Sequence, residues 1–519
     1  MDHSQMKHVM TPDGMVMIHQ GVPPWLFALG AGAILLLTFL VVEGRGLSES
    51  DGWRVDLSKN PRIHRLIRKP WFQSMFQVPV LIAFLAVIYA GLFGSYARNI
   101  APVLTWTVWW AGLIFAVALF GNVWCFVCPW DALANLSTRL SFWKRRESLS
   151  IGLPWPRWLR NVYPATVLFV VVTWAELGWG ITNNPRITAT LGLFMCFGAM
   201  GFALVYDRKL WCRSFCFVGR TSGMYTMFSP VEIRSRSPRA CEVCKTHACE
   251  SGNAKGMPCP TMLDMGELNE STYCTLCTEC VKSCNIPTVR LRPFGRDLPR
   301  VKHWRMDEAV LALTLLALTG FHGLSMTPVW QNFEPGTRDI VGGLQGALGI
   351  SELSAFTIGM VVLMAVPLLA YALLTGVAWL WVRSGEVSYR DLFIGYAYSV
   401  LPVALFYHLA HNAMHLFTEG QTVIPRLSDP MGTGADWFGT ASWQLGSMLS
   451  LSTIWWLQVL LVVTGHAFGI TVAHRISRRL FADSRLARRS LVPMTAMMIL
   501  ISMGGLWLMS LDMNMRGKM

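Results

Sequence analysis

Apolar residues run along this chain in about ten blocks, each roughly 20 residues long and nearly free of charge, separated by polar segments of unequal length. The blocks lie near 24–43, 76–97, 103–122, 161–180, 187–206, 309–326, 355–382, 391–412, 450–473 and 491–511. Crossing the hydrocarbon of a bilayer takes about 20 apolar residues in a helix, and a helix satisfies its own backbone hydrogen bonds in lipid. The pattern predicts a mainly α fold, a polytopic transmembrane bundle of about ten spans. No basic region precedes the first block and no small-residue cleavage site follows it, so it is expected to persist as a signal anchor. The longest polar segment divides the chain into a tail (1–23), a five-span domain (24–206), an insert (207–305) and a second five-span domain (306–519).

Composition agrees with lipid as the main solvent: 53% of residues are hydrophobic and 14% charged, against about a quarter charged in soluble chains. A net charge of +14 would suit nucleic acid, but its placement assigns it to topology. Arg45, Arg54, Lys59, Arg62, Arg65, Arg68 and Lys69 follow span one, and Arg139, Lys144, Arg145, Arg146, Arg157 and Arg160 follow span three. Basic residues also flank the insert and follow span nine, whereas Glu334, Asp339, Glu352, Glu419, Asp429 and Asp436 occupy alternate loops. Basic loops stay in the cytoplasm. The chain is therefore expected in a bacterial inner membrane, with both termini periplasmic, the insert cytoplasmic and no nucleic-acid partner.

All of the 13 cysteines but Cys196 fall on the expected cytoplasmic side, where thiols stay reduced, so metal or redox roles outrank disulfides. Cys196 reads as a packing residue. Cys274-x2-Cys277-x2-Cys280-x3-Cys284 has the spacing by which three thiolates hold one [4Fe–4S] cluster and the fourth crosses to another. Its partner run is Cys241-x2-Cys244-x4-Cys249, followed by Cys259-Pro260. The crossed rule assigns Cys241, Cys244, Cys249 and Cys284 to a first cluster, and Cys274, Cys277, Cys280 and Cys259 to a second. Structural zinc, the competing reading, favours two separated pairs over a triplet. An insert this small and irregular lacks a large apolar core, and clusters would take its place. The first run is two residues longer than the usual spacing and Asn285, not proline, follows Cys284, which leaves the ligand partition open.

A faint repeat closes two membrane helix pairs: Trp124-Cys125-Phe126-Val127-Cys128-Pro129 and Trp211-Cys212-Arg213-Ser214-Phe215-Cys216-Phe217. These motifs followed by a two-cluster insert resemble the membrane polyferredoxin family, whose members accompany nitrous-oxide reductase, periplasmic nitrate reductase and haem-copper oxidase assembly. The resemblance covers about 50–305. In that family the motif reads Cys-x3-Cys-Pro twice; here the first copy is one residue shorter and the second has Phe217 in place of proline. The resemblance implies electron relay through the insert, and the last spans have no counterpart in it. Cys125, Cys128, Cys212 and Cys216 are expected at one depth, where they can form a shared redox or metal site, exchange electrons as dithiols, or stand as separate structural thiols. Trp124 and Trp211 are expected in the interfacial aromatic belt.

On the opposite side, His408, His411 and His415 share one face of span eight, and His322 lies at matching depth. They are candidates for haem b or copper, or for plain interhelical hydrogen bonds; His466 and His474 are candidates for a second haem. Both periplasmic ends are rich in Met and His (Met1, His3, Met6, His8, Met10, Met15, Met17, His19; Met509, Met513, Met515, Met519). Thioethers select Cu(I), and His3 with the amino terminus offers a planar nitrogen set for Cu(II). Three functions remain open. One is an electron-transfer protein between a cytoplasmic donor and a membrane or periplasmic acceptor. Another is a copper reductase or an assembly factor for a copper-enzyme partner. The third is a haem- and quinone-linked subunit of a redox complex.

Overall fold

Long helices form where the apolar blocks predict them: α1 (Pro24–Glu43), α2 (Phe72–Phe93), α3 (Ile100–Phe120), α4 (Tyr163–Gly178), α5 (Pro185–Val205), α6 (Met306–Ser325), α7 (Glu352–Val382), α8 (Tyr389–Glu419), α9 (Leu451–Leu480) and α10 (Ser484–Ser510). The computed structural model describes the chain except for residues 1–5, 12–13, 44–51, 143–147, 207–208, 299–300, 302, 332–338, 384 and 516–519. His3 thus lies outside the described residues, and for 6–11, 14–17 and 514–515 the backbone alone is described.

Polar caps set where the spans begin. Asn184, Ser351, Ser388, Ser450 and Asp483 accept hydrogen bonds from the first free amides of α5, α7, α8, α9 and α10, groups with no intrahelical partner. Nine of the described helices are long and apolar enough to cross a membrane. The exception is α4, at 16 residues about 24 Å long against about 30 Å of hydrocarbon. Its block was expected to run 161–180, but Pro164 fixes its first turn and Gly180, at φ 59°, turns the chain away just beyond it.

The centre of the bundle is α8, buried along nearly its whole length, as expected of a helix apolar on every side. Its closest neighbour is α9, and small residues make the approach. A Cβ on Gly465 would stand 2.6 Å from Phe406 Cβ, and one on Gly469 3.0 Å from Val403 Cγ2 and 3.1 Å from the Ser399 carbonyl. Gly465-x3-Gly469 is therefore the small-residue seam that lets two membrane helices touch backbone to side chain. One apolar core, from Leu113 in α3 to Met498 in α10, runs through both five-helix halves.

Two three-stranded antiparallel sheets lie outside the bundle. One joins β1 (Met6–Thr11), β2 (Gly14–His19) and β6 (Met513–Met515) in the order β1-β2-β6, and so ties the two ends of the chain together. The other has the order β3-β5-β4, from Val55–Asp56 (β3), Val231–Ser235 (β4) and Pro287–Leu291 (β5). The insert therefore recruits a strand from the segment after α1. It also surrenders its first part to the membrane domain, because all nine residues of the helix Phe217–Tyr225 are buried against α3, α4, α6 and α8.

Loops gather in two sets. Segments after α1, α3, α5 and α9 touch one another through β3 and β5, Val162 N–H to Asp307 (2.9 Å), Leu153 N–H to Val205 O (3.0 Å), and Arg479 Nη1 to Val301 O (2.5 Å). Segments after α2 and α8 meet where Ser95 N–H donates to Met431 O at 2.7 Å. We expect Gly465→Val to destabilise the detergent-purified protein by about 1–3 kcal/mol through overpacking. Gly504→Val, where nothing lies within 4 Å of the added carbon, should leave the melting temperature nearly unchanged. Equal melting temperatures for the two variants would remove the close α8–α9 contact.

Candidate functional site

The insert places its cysteines in short turns between β4 and β5. Cys241 lies in the helix Pro238–Glu242, Cys249 in the turn Ala248–Ser251, and Cys280 in the helix Glu279–Ser283, which Cys284 ends. Its apolar packing is small, and three of the seven buried members, Cys249, Cys274 and Cys280, are thiols beside Ile67, Ile233, Met265 and Val281. Cys259 acts electrostatically on Cys274, Cys277 and Cys280, while Cys284 acts on Cys249. Cys249 and Cys280 also sense each other, so the two groups adjoin. Burial pushes the Cys274 thiol up to about 11 and Cys277 to about 12. Cys244, at the exposed edge, is held below the ordinary thiol range by the Thr246 hydroxyl and by backbone amides.

Backbone strain concentrates here. Among the described residues six non-glycine residues have positive φ, and four of them are in the insert: His247 (42°), Met262 (56°), Leu276 (55°) and Thr278 (64°). Leu276 and Thr278 flank Cys277. Left-handed residues alternating with right-handed ones turn successive N–H groups inward, the concavity found around anions and iron–sulfur centres, and such strain collects at functional sites. Amides also point at sulfur, Leu263 N–H to Cys259 at 3.4 Å and Ile286 N–H to Cys284 at 3.5 Å. Among the described residues no three Cys, His, Asp or Glu side chains converge tightly enough to hold a single metal ion. Cysteine thiols in these runs, with backbone amides aimed at two of them, are by their chemistry a donor set that fits an iron–sulfur centre.

The membrane cysteines converge as well. Cys125 and Cys128 lie at the end of the short helix Val123–Val127, Cys212 and Cys216 at the widened π-turn Trp211–Phe215, and each pair leads into another short helix, Pro129–Arg139 or Phe217–Tyr225. The repeat is thus structural. Cys128 senses Cys125, Cys212 and Cys216, and Cys125 senses Cys274 of the insert. A Cβ on Gly219 would stand 3.6 Å from Cys216 Sγ and 3.8 Å from Cys125 Sγ. Asn122 Nδ2 donates to Cys274 O at 2.7 Å, which binds the insert to this level.

Asp131 locks the two repeats together, accepting from Gln77 Nε2 (3.0 Å) and Asn135 Nδ2 (3.2 Å) and pairing with Lys209 Nζ (2.5 Å). Sequence reading passed over this pair, although a lone aspartate in an apolar stretch is the signal that marks one. It also misplaced Trp211. That ring is not at the lipid interface but buried over Gly198, whose added Cβ would meet it at 2.6 Å; the large indole fills the gap that the glycine leaves. Cys196 packs beside Met200 with Sγ to Sδ at 3.9 Å.

Three of the four histidines, His322, His411 and His415, meet in a polar row. His322 Nδ1 lies 2.7 Å from His411 Nε2, His322 Nε2 lies 3.4 Å from Glu176 Oε1, the His411 and His415 rings are 5.0 Å apart, and His415 Nδ1 is 3.6 Å from Glu419. His408 turns to Tyr225, 3.4 Å away. The adjoining cavity, lined by Trp110, Thr173, Glu176, His322, His408 and Asn412, has a volume of about 30 Å³. That holds one or two waters. His466 is engaged on both ring nitrogens, by Thr38 Oγ1 (2.7 Å) and Ser502 Oγ (3.0 Å), as an interhelical hydrogen-bond partner. Comparison with protein-family models, with curated proteins and with solved structures finds no match for the chain.

Proposed function

We propose that this chain is a membrane-bound iron–sulfur protein that relays electrons between a cytoplasmic donor and an acceptor in the membrane or periplasm. The observation that carries this reading is the gathering of its thiols, with Cys249, Cys274 and Cys280 in one small core, Cys125 and Cys216 on either side of Gly219, and Asn122 at the Cys274 carbonyl joining the two levels. In this reading Cys241, Cys244, Cys249 and Cys284 hold one [4Fe–4S] cluster, and Cys259, Cys274, Cys277 and Cys280 the other; bound there, the clusters supply one-electron chemistry. The amides of Leu263 and Ile286 stabilise negative charge on sulfur, and the buried walls at Cys274 and Cys280 exclude water. Cys244, with the exposed Val243 beside it, marks the edge at which a donor docks. The likeness of 50–305 to membrane polyferredoxins points the same way.

The sidedness follows from the loops. The pairing of β2 with β6 supports one face for these two strands; in this reading an even number of crossings lies between them, and α4, although short, is one of them. A bilayer thins locally around such a helix. The face where the segments after α1, α3, α5 and α9 meet carries the basic residues, and we assign it to the cytoplasm.

A second reading, service to copper, is favoured by the register of the terminal sheet. Met6 pairs with His19, and His19 with Met513; His8 pairs with Met17, and Met17 with Met515; Met10 pairs with Met15. Partners in register, and residues two apart, occupy the same face of a sheet, so six methionines and two histidines belong to one face. These are ligand types that suit Cu(I).

In anaerobically purified protein, Cys277→Ser should remove about four irons per chain; iron near zero in the wild type, with stoichiometric zinc instead, would sink the relay. Reporter fusions after residues 270 and 480 should read cytoplasm and those after 345 and 430 periplasm, and a periplasmic signal at 270 reverses the electron path. Titrated with Cu(I), the full-length protein carrying Met17→Leu and His19→Ala should bind at least about tenfold more weakly than wild type; unchanged affinity rejects the copper reading.

A further inference from the structure

We propose that Cys125, Cys128, Cys212 and Cys216 together hold a third iron–sulfur cluster, of the four-thiolate [2Fe–2S] or [4Fe–4S] kind, at the junction of insert and bundle, with Arg220 as its counter-cation. The choice of iron rests on the relay reading above; the site itself rests on the repeat and on geometry. One thiol from each copy of the helical repeat, Cys125 and Cys216, reaches Gly219, which keeps the space between them free of a side chain, and Cys128 and Cys212 are the second thiols of the same two motifs. Gly219 N–H donates to Cys216 Sγ at 3.3 Å, the kind of amide–sulfur bond that tunes iron–sulfur centres.

Arg220 supplies the independent observation. It is 2% exposed, it stands one helical turn beyond Cys216, and among the described residues none of Nε, Nη1 and Nη2 has a hydrogen-bond partner. Its guanidinium rests on the face of Tyr273, 4.8 Å from the ring centre. A buried cation without a paired anion is costly, whereas an exposed arginine would cost the fold nothing. Neither Asp131, held by Lys209, Gln77 and Asn135, nor Glu308, held by Tyr273 and Tyr398, bonds to it. The charge of Arg220 acts on both Cys125 and Cys216. Four thiolates around an iron–sulfur core carry net negative charge, which is the anion this guanidinium lacks.

The test uses the full-length protein purified without oxygen. Wild type should contain about ten or twelve irons per chain, with matching acid-labile sulfide, in place of about eight. Cys125→Ser combined with Cys212→Ser should lower that to about eight and leave the paramagnetic signal of the insert in place, whereas Cys277→Ser should remove iron from the insert alone. Because the double variant can fail to fold, Arg220→Gln provides a second readout. It should retain the iron but move one midpoint potential to a more negative value, since loss of a nearby positive charge favours the oxidised centre. Wild-type protein with about eight irons that the double variant keeps, or unmoved potentials in Arg220→Gln, overturns the third site and leaves the relay standing. Zinc, copper or a disulfide at the four cysteines overturns it as well. Iron near zero throughout removes both.

Discussion

Two phenols share one carboxylate at the mouth of α6. Tyr273, next to Cys274 in the insert, donates to Glu308 Oε1 at 2.6 Å, and Tyr398 of α8 donates to Glu308 Oε2 at 2.5 Å. The carboxylate is buried, so it holds both hydroxyls firmly, because an unmet polar atom at this depth is expensive. The insert has little apolar surface with which to fix itself on the bundle. Its height above the membrane cysteines therefore depends on Glu308, on Asn122 at the Cys274 carbonyl, and on Arg305, which lies over the Tyr273 ring at 5.7 Å. A relay whose centres must hold their spacing needs this kind of directional anchoring more than it needs a large apolar contact.

The same demand for partners organises the bundle's interior. Glu176, His322 and His411 carry polar atoms into an apolar setting, and they meet across α4, α6 and α8. Histidines at i, i+3 and i+7 on α8 suggest a ligand set when only one helix is considered. Once the neighbouring helices are in place, His322 lies against His411 and Glu176, and His466 against Thr38 and Ser502. Intramembrane polar residues mark places under constraint, and hydrogen bonds between helices are part of how these positions meet it.

What the sequence made legible was local. Apolar blocks gave the helices because a span is written in about 20 consecutive residues, and the polar caps Ser351, Ser388 and Ser450 lie at their edges. The cysteine runs and the two Trp-Cys motifs could be found by spacing alone. Long-range placement was not legible: β3 joins β5 across more than two hundred residues, Lys209 finds Asp131, and Trp211 finds Gly198 rather than the lipid interface. The shortness of α4 came from a glycine turn whose conformation no apolar count reveals. Arg220 looked like one more basic residue on a positive loop, and only the burial of its surroundings by Phe217–Tyr225 and Tyr273 sets it apart.

The sheet that joins β1, β2 and β6 acts as a latch between α1 and α10. β2 leads into α1 and α10 leads into β6, and Gly21 and Val22 take their partners from Asp512 and Met509. The hairpin β1-β2 alone has an unpaired edge, which β6 covers only while α10 stands beside α1. A force that draws those two helices apart therefore has to break backbone hydrogen bonds as well as apolar contacts.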